Sequence, residues 1–264
     1  MYINNMDQTQ HERVPSHIFF HIVIGGSSGI GAAVAKLAAT EGANVSIASS
    51  NKTRVDTAVR KIQDDASQVN IWGYVCDVSH DDVESSLEKL FADAKADAGQ
   101  PLNHIVYTAA KLDFRPVSDV SASTLRHSVQ VGYVVPLIIA KLSLRYVKQS
   151  CTSSLIFTSG RLTERPMKGA TVASGFASAM FGMVRGLALD LLPIRTNLIS
   201  PGATNTEALG EGERREQVVA MMTKNALLGK IGTPEEVAEA YVYLMKDTNS
   251  TGSCVNTNGG ALVQ

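Results

Sequence analysis

The chain has 264 residues, of which 44% are hydrophobic and 19% charged, and its formal net charge is -1. This length suits one large α/β domain with a buried core, and the charge gives no sign of a surface for nucleic acid or anionic membranes. The three cysteines are far apart and form no C-x-x-C pair, which argues against a disulfide framework or zinc site and favours a reducing compartment.

Two observations concern location and domain boundaries. The longest apolar run, residues 134–140, is interrupted by Pro136 and falls short of the ~20 residues that a helix needs to cross a bilayer. Residues 1–16 are polar, lack the apolar segment of a signal peptide, and are expected to be a disordered tail. We therefore expect a cytoplasmic protein without a membrane partner, folded as one domain over residues 17–264.

Short apolar runs alternate with longer helical patterns, which predicts a parallel sheet with helices on both faces. Strands are predicted at residues 18–24, 45–48, 71–75, 105–108, 155–158, 196–199 and 254–257. Helices are predicted at residues 31–41, 54–65, 83–98, 123–147, 173–192, 213–227 and 234–245. The last helix begins after Thr233 as N-cap, with Pro234 in its first turn. The predicted fold is a single-domain, doubly wound α/β fold with a mostly parallel, seven-stranded sheet.

The first predicted strand leads directly into the stretch I-G-G-S-S-G-I-G, residues 24–31, which opens the first helix. Gly25 can take the tight turn, Gly29 lets the backbone approach a pyrophosphate, and Gly31 permits close packing of helix on strand. Free N–H groups and the helix dipole would then face the anion. The context predicts a dinucleotide site rather than the alternative, a glycine-rich turn that binds nothing. The same site is assigned Ser27, Ser28 and Ile30.

With this loop, the chain resembles the short-chain dehydrogenase/reductase (SDR) family from about residue 18 to the C-terminus. Asp77-Val78 matches the pair that contacts adenine in the family, and Pro201-Gly202 with Thr206 matches P-G-x-x-x-T, which wraps the nicotinamide and phosphate. Residues 251–260 match its terminal T-G-x-x-x-x-x-x-G-G strand. The resemblance implies a Rossmann fold and a nicotinamide cofactor. It also implies cofactor contacts at Asp77, Val78, Thr108, Ala109, Ala110, Pro201, Gly202, Thr204 and Thr206.

The residues after the second strand indicate which nicotinamide cofactor is bound. An acidic residue there would accept hydrogen bonds from the ribose 2′-OH and repel a 2′-phosphate. The stretch contains Ser49, Ser50 and Asn51 instead, followed by Lys52 and Arg54, which favours NADP(H) over NAD(H). The alternative is that both cations are solvated charges on the next helix.

SDR enzymes carry a serine at the end of the fifth strand and a Y-x-x-x-K motif about 13 residues later, whose tyrosine donates a proton to the substrate carbonyl. Ser159 fills the serine position here, but alignment from Pro201-Gly202 places Ala173 at the tyrosine and Ala177 at the lysine. The helix-four asparagine of the family becomes Gln130. Three of four catalytic side chains differ, which predicts that the protein is not a standard ketone reductase.

One other Y-x-x-x-K match, Tyr107 to Lys111, falls at the end of a predicted strand. Residues four apart lie roughly 5–6 Å from each other on a helix but about 13 Å apart on a strand. That distance is too long for the lysine to lower the tyrosine's pKa. Tyr107 is therefore expected to be a packing residue.

Loss of the acid restricts the chemistry. Reducing a neutral carbonyl benefits ~10²–10⁴-fold from a proton donor, whereas an iminium is already cationic and hydride neutralises it. Ala173, Ala177, Phe176 and Met180 predict a roomy, apolar pocket for a bulky small-molecule substrate. The remaining catalytic candidates are Ser159, Gln130 and Arg161. Ser159 could instead be a strand-end hydroxyl bonded to backbone, and Gln130 could form a structural bond to the backbone of helix four. Arg161 could instead form a surface ion pair with Glu164.

The chain is similar to a divergent fungal branch of the family that includes NADP(H)-binding reductases of alkaloid biosynthesis, one type of which also guides a Diels–Alder cyclisation. That type is credited with an arginine and an aspartate where Gly132 and Met167 stand here, so its cyclisation mechanism does not transfer. The expected function is NADP(H)-dependent reduction of an iminium-like or other activated bulky intermediate of secondary metabolism. The alternatives are a non-redox cyclase or isomerase, and a catalytically silent binding subunit. No metal is expected. The helices at 123–147 and 173–192 have long apolar faces, and the resemblance to the family implies that they pair in a homodimer or homotetramer.

Overall fold

Parallel strands and helices alternate along the computed structural model of the protein, which describes residues 19–109 and 113–263. The strands are β1 (Phe20–Ile24), β2 (Asn44–Ser49), β3 (Ile71–Val75), β4 (His104–Tyr107), β5 (Ser154–Thr158), β6 (Arg195–Pro201) and β7 (Cys254–Thr257). The helices are α1 (Gly29–Thr40), α2 (Lys52–Asp65), α3 (Val83–Ala98), α4 (Ala122–Val129), α5 (Val135–Tyr146), α6 (Thr171–Asp190), α7 (Gly212–Lys224) and α8 (Pro234–Lys246). The predicted N-terminal tail, Ala110 and Lys111 lie outside the described residues.

The strand order of the single seven-stranded sheet is β3-β2-β1-β4-β5-β6-β7, and each neighbouring pair is parallel. This order confirms the predicted doubly wound fold. The chain reverses its direction of winding between β1 and β4, and open sheets of this kind bind ligands at the carboxyl ends of the strands at that point. The glycine loop follows β1 there, so the fold carries the predicted cofactor residues to one edge of the sheet.

Strand β1 is buried on both faces, as its continuous apolar sequence predicts. Phe20 and Ile22 pack on one side of the sheet together with residues of α3, α5 and α6. Val23 packs on the other side, where α1, α2 and α8 cover the sheet. Helix α8 begins as predicted, because the Thr233 hydroxyl accepts a hydrogen bond from the Glu236 amide at 3.2 Å. Helix α7 ends at Lys224, three residues before its predicted end.

The helix predicted at 123–147 is interrupted by a π-helical turn, Gln130–Val134. The Val135 N–H bonds to the Gln130 carbonyl, and Pro136 has no N–H, so the Val131 carbonyl loses both of its helical donors. The Tyr107 hydroxyl donates to that carbonyl at 2.8 Å. Tyr107 is only 3% exposed and therefore both packs in the core and completes the turn.

Two helical stretches, Ala122–Tyr146 and Thr171–Asp190, are long and apolar enough to span a membrane by length and composition. Neither was expected from the sequence, because polar residues interrupt each stretch and leave no long unbroken apolar run. About 44% and 39% of their apolar windows are buried within the protein, and both contribute core residues such as Ile139 and Val184. A core helix passes the same test, so the finding is weak evidence for a membrane, and the expectation of no membrane partner stays a prediction.

A cluster of buried polar side chains lies where β1 and β4 begin, away from the carboxyl edge. His21 pairs with His104 across the two strands, and their rings are 4.8 Å apart. The Nδ1 atom of His104 lies 2.8 Å from the Ser154 hydroxyl, whereas Nε2 of His21 has no hydrogen-bond partner among the described residues. Burial lowers the pKa of His21 to about 3 and lowers the pKa of His104 well below its usual range. Both rings are neutral in the folded protein at neutral pH.

Candidate functional site

The loop after β1 leaves the first turn of α1 open to an anion. Ser28 is the N-cap residue and has an extended backbone, but its side chain forms no capping hydrogen bond with the described residues. The first turn of α1 contains no acidic side chain. The N–H groups at this helix terminus, together with the helix dipole, therefore favour a phosphate.

The glycines of this loop lie where a side chain would not fit. A Cβ atom on Gly31 would fall 2.3 Å from the Gly25 carbonyl oxygen, and one on Gly25 would fall 2.6 Å from Oγ1 of Thr108. Gly25 and Gly29 have φ angles of 91° and 52°, which L side chains rarely adopt. A Cβ on Gly29 would lie 3.2 Å from the Thr206 methyl group, so the two predicted cofactor loops face each other. These residues fit the pyrophosphate of a nicotinamide dinucleotide.

At the end of β2, the two predicted cations have different surroundings. Lys52 forms an ion pair with Asp56 at 2.8 Å, one turn along α2. Arg54 is exposed, and its guanidinium has no ion-pair partner within the described part of the chain. The Asn51 side chain caps α2 by accepting from the Arg54 amide at 2.9 Å. Arg54 is thus the cation that remains available beside Ser49 and Ser50.

Asp77 lies at the start of the connection from β3 to α3, and its carboxylate is held by hydrogen bonds. The amide and the hydroxyl of Ser79 donate to Oδ1 of Asp77 at 2.9 and 2.7 Å. These bonds lower the pKa of Asp77 and hold its carboxylate in place. The neighbouring Val78 is buried in the core. This arrangement is compatible with the adenine contact that the resemblance implies.

The loop after β6 is also tightly built. The Gly202 amide donates to the Thr257 carbonyl at 3.0 Å, and a Cβ on Gly202 would fall 2.6 Å from the Asn258 Cα. The Thr204 hydroxyl donates to the Gly202 carbonyl at 3.2 Å. Beside β4, the Thr108 hydroxyl donates to the Ile24 carbonyl at 3.2 Å. Thr108 and Gly202 therefore hold together the loops to which cofactor contacts are assigned.

A mostly apolar pocket opens beyond the ends of β4 and β5. Ala173 and Ala177, one turn apart on α6, line it with Ser159, and both alanines are buried. The lining also includes Val131, Pro136, Phe176 and Met180. The positions aligned with the family's tyrosine and lysine thus face the same pocket as the aligned serine, but they carry only methyl groups.

Every side-chain hydroxyl that lines the pocket within the described residues donates to another protein group. Burial raises the pKa of Tyr107, which lowers its acidity further. The bonds are Tyr107 to the Val131 carbonyl at 2.8 Å, Ser128 to Oδ2 of Asp113 at 3.1 Å, Thr158 to the Tyr107 carbonyl at 2.7 Å, and Ser159 to the Ala177 carbonyl at 2.9 Å. Each of these hydroxyl protons is therefore engaged within the protein.

Asp113 is the one pocket-lining residue with a formal charge among the described residues, and sequence reasoning missed it. Nε of Arg115 donates to its Oδ1 at 2.5 Å, and this bond and the Ser128 bond lower the pKa of the Asp113 carboxyl. The group is therefore ionised at neutral pH and is no proton donor. Asp113 lies six residues after β4, on a connection that must begin at the carboxyl edge of the sheet. This position in the sequence could have identified it as a candidate site residue.

The three catalytic candidates have different surroundings. Ser159 lines the pocket, with its proton on the Ala177 carbonyl. Gln130 does not line it, and its amide donates at 2.9 Å to the carbonyl of His80, after β3, rather than to helix-four backbone. That contact links the π-helical turn between α4 and α5 to the connection between β3 and α3.

Arg161 lies in a neighbouring hollow with Lys230 and Ala203, outside the apolar pocket. The alternative ion pair between the side chains of Arg161 and Glu164 is not formed in the described part of the chain. The two residues are joined through their backbones, by a hydrogen bond from the Glu164 amide to the Arg161 carbonyl at 3.2 Å. The guanidinium therefore has no contact with the pocket that Ala173 and Ala177 line.

These features define a doubly wound dinucleotide-binding domain with an apolar pocket beside the loops to which cofactor contacts are assigned. A family model described as an SDR-like Rossmann domain matches residues 18–264, and the chain belongs to the short-chain dehydrogenase/reductase family. Short-chain dehydrogenase/reductase ATR9 of Stachybotrys chlorohalonatus is 45% identical over 244 residues, covering 92% of this chain and 96% of that protein. Short-chain dehydrogenase/reductase fsr5 of Gibberella fujikuroi is 36% identical over 250 residues, covering 92% and 94%.

One similar solved structure is that of the MalC reductase/Diels-Alderase from Malbranchea aurantiaca. It matches with a TM-score of 0.87 at 32% identity, covering 92% of this chain and 96% of that one. These similarities confirm the resemblance to the fungal secondary-metabolism branch of the family. They support an oxidoreductase built on a fold that binds a nicotinamide cofactor.

Proposed function

We propose that the protein is an NADP(H)-dependent oxidoreductase that reduces an iminium-like or otherwise activated, bulky intermediate of fungal secondary metabolism. One observation carries the proposal. Each described hydroxyl of the pocket donates to a protein acceptor, while Ala173 and Ala177 stand at the positions of the family's acid and its lysine. A reaction in this pocket must therefore proceed without a proton from a side chain at these positions.

A bound NADPH would supply hydride. The loop glycines, the open terminus of α1 and the loop after β6 would hold it. Met180, Phe176 and the two alanines would exclude water and position the substrate. An iminium accepts hydride to become a neutral amine, so positioning is the main contribution that it requires of the protein.

The choice of NADP(H) over NAD(H) rests on the end of β2. No carboxylate follows β2 in the sequence A-S-S-N-K-T-R, and the guanidinium of Arg54, which has no ion-pair partner among residues 19–109 and 113–263, is available to a 2′-phosphate. Ser49 and Ser50 would add hydroxyl donors. Lys52, by contrast, is already paired with Asp56.

A direct test mixes the purified protein with NADPH and N-methyl-3,4-dihydroisoquinolinium, a small cyclic iminium. We expect NADPH absorbance to fall as the tertiary amine forms in equal amount. NADH should support a slower reaction at equal concentration. Iminium consumption without NADPH oxidation, or the absence of nicotinamide binding by calorimetry, would contradict the proposal.

A second candidate is a non-redox cyclase or isomerase that keeps the cofactor as scaffold. The similarity to the MalC reductase/Diels-Alderase favours this candidate, as does the apolar lining of the pocket. Gly132 and Met167 argue against the same cyclisation mechanism. With the pathway intermediate as substrate, product formation at equal rates with NADPH, with NADP⁺ and without nicotinamide would support the cyclase.

We further propose a homodimer or homotetramer in the cytoplasm. Leu144 of α5 and Leu189 of α6 are exposed, and added Cβ atoms on Gly182 and Gly186 of α6 would meet open space. A second copy of the chain could approach these helices closely and bury their apolar surface. Light scattering on the purified protein tests this, since a monomer at micromolar concentration would contradict it.

A further inference from the structure

Asp113 is an unusual group in this pocket, because the other lining residues that the structure describes are uncharged. Its side chain is only 12% exposed, in the connection between β4 and α4, yet it lies beside apolar residues such as Val131 and Met180. An ionised carboxylate next to apolar surface is unfavourable unless it is paired. The hydrogen-bonding capacity that its present partners leave open therefore indicates what kind of ligand it can bind.

The two hydrogen-bond partners that Asp113 has within the described part of the chain leave part of its accepting capacity unused. Ser128 donates to Oδ2 and Arg115 donates to Oδ1, whereas the two oxygens of a carboxylate together accept about four hydrogen bonds. Ser128 lines the pocket with Asp113, but Arg115 does not. The balancing guanidinium thus lies outside the lining, and the formal charge that the described lining residues present to a ligand is negative.

An aromatic ring lines the same pocket. Phe176 packs against the π-helical turn at Gly132, where an added Cβ would fall 3.2 Å from the ring atoms Cγ and Cδ1. Glycine at 132 therefore leaves room for the ring, and a larger residue would displace it. Aromatic rings and carboxylates both attract organic cations, and neither has such an attraction for an uncharged ligand of the same shape.

We propose that Asp113, positioned by Ser128, is the specificity-determining residue of the pocket and selects ligands that carry a cationic nitrogen, with Phe176 as the accompanying aromatic surface. The inference rests on the proposed function, because it names the charge that the substrate must have and the residue that recognises it. Asp113 binds and orients the substrate without transferring a proton. Its lowered pKa keeps it charged at neutral pH, as this role requires.

Calorimetry with two probes of equal shape tests the inference without any hydride transfer. The first probe is N-methyl-3,4-dihydroisoquinolinium, and the second is its uncharged carbon analogue, 3-methyl-1,2-dihydronaphthalene. We expect the wild-type protein to bind the cation at least about tenfold more tightly, as a charge-assisted contact implies. Asp113→Asn should bring this ratio to about one by weakening cation binding. Ser128→Ala, which keeps the charge but removes one positioning bond, should lower it about threefold.

The matched control is Asp119→Asn, which neutralises an exposed carboxylate on the same connection outside the pocket and should leave the ratio unchanged. Thermal unfolding identifies any variant that fails to fold. Equal binding of both probes by the wild type would overturn the inference, and so would an unchanged preference in folded Asp113→Asn. Asp113-dependent cation selectivity without NADPH oxidation would contradict only the proposed reduction. NADPH oxidation with selectivity unaffected by Asp113→Asn would contradict only this inference.

Discussion

The glycine loop after β1 and the α6 wall of the pocket stand at the same edge of the sheet but are built very differently. In the loop, Gly25 and Gly31 are fixed so closely that one Cβ atom would collide with backbone or with Thr108. On α6, Ala173 and Ala177 keep the spacing of an acid and its lysine without their functional groups. Holding a dinucleotide and donating a proton are thus separable tasks in this fold.

The difference has a physical cause. The pyrophosphate depends on backbone N–H groups and a helix dipole, which require the glycine geometry and no particular side chain. Proton donation depends on one side chain with a suitable pKa. An activated substrate removes the need for that proton donor, whereas the reaction still requires a bound nicotinamide that supplies hydride. The predictions below test the two regions separately.

The largest effect is expected in the loop. Gly29→Leu forces a side chain onto a residue with φ of 52°, toward Thr206 and the anion site, so NADPH binding should weaken at least ~100-fold by calorimetry. Gly99→Leu is the matched control, since Gly99 has φ of 66° but open space around it. Gly99→Leu should bind NADPH like the wild type. Unchanged affinity in Gly29→Leu would show that the loop does not hold the cofactor.

The second expected effect is a loss of folding stability at low pH, caused by the two buried histidines, which limits the pH range in which the loop and the pocket can be compared. The folded-state pKa values of His21 and His104 are depressed, so the unfolded chain takes up protons first and stability is lost as pH falls below about 6.5. His21 alone should lower the free energy of unfolding by about 2 kcal/mol at about pH 5, measured by urea titration, and His104 should add to the loss in the same direction. His21→Leu should therefore remove a large part of this dependence. Exposed His127→Leu is the control, and constant stability from about pH 8 to pH 5 would contradict the assignment.

A smaller effect is expected at the adenosine end. Arg54→Ala should weaken NADPH binding about tenfold while leaving NADH binding unchanged, because only NADPH carries the 2′-phosphate. Arg60→Ala, on the exposed side of α2, is the control and should alter neither affinity. Equal losses for NADPH and NADH in Arg54→Ala would indicate a general loss of structure and refute the specificity argument.

The smallest effect concerns the α6 wall. Adding the acid and lysine back as Ala173→Tyr with Ala177→Lys should not raise iminium turnover, because the product amine needs no proton from the protein. The control pair, Ala173→Phe with Ala177→Met, adds similar volume without an acid and accounts for overpacking, which typically costs ~1–3 kcal/mol. The two double variants should agree within about threefold in NADPH oxidation rate. A much faster Tyr/Lys variant would mean that the substrate requires a proton.

Much of the fold followed from local sequence signals. Short apolar strands, the glycine loop and the Thr233 cap depend on neighbouring residues, and each predicted strand lies within two residues of its observed bounds where it is described. The interruption of the 123–147 helix was harder to predict. Pro136 was visible, but the π-helical turn is completed by Tyr107, which lies 24 residues away from Val131 in sequence.

The site was less predictable because side-chain partners across the fold decide it. Gln130 contacts His80, 50 residues away, and Arg161 lies among residues from the C-terminal third of the chain. Asp113 is positioned by the hydrogen bond from Ser128, and both residues line the pocket only because the fold brings them together. The glycine pattern specified the cofactor loop locally, whereas the pocket depends on contacts that no short motif contains.

The central claim is that hydride delivery persists here without a built-in acid. It is tested most directly by measuring kcat/KM of the wild-type protein, with saturating NADPH, for N-methyl-3,4-dihydroisoquinolinium and for 2-tetralone, a ketone of similar size. The account predicts a value at least ~100-fold higher for the iminium, as expected where a general acid is missing. Equal or faster reduction of the ketone would contradict it.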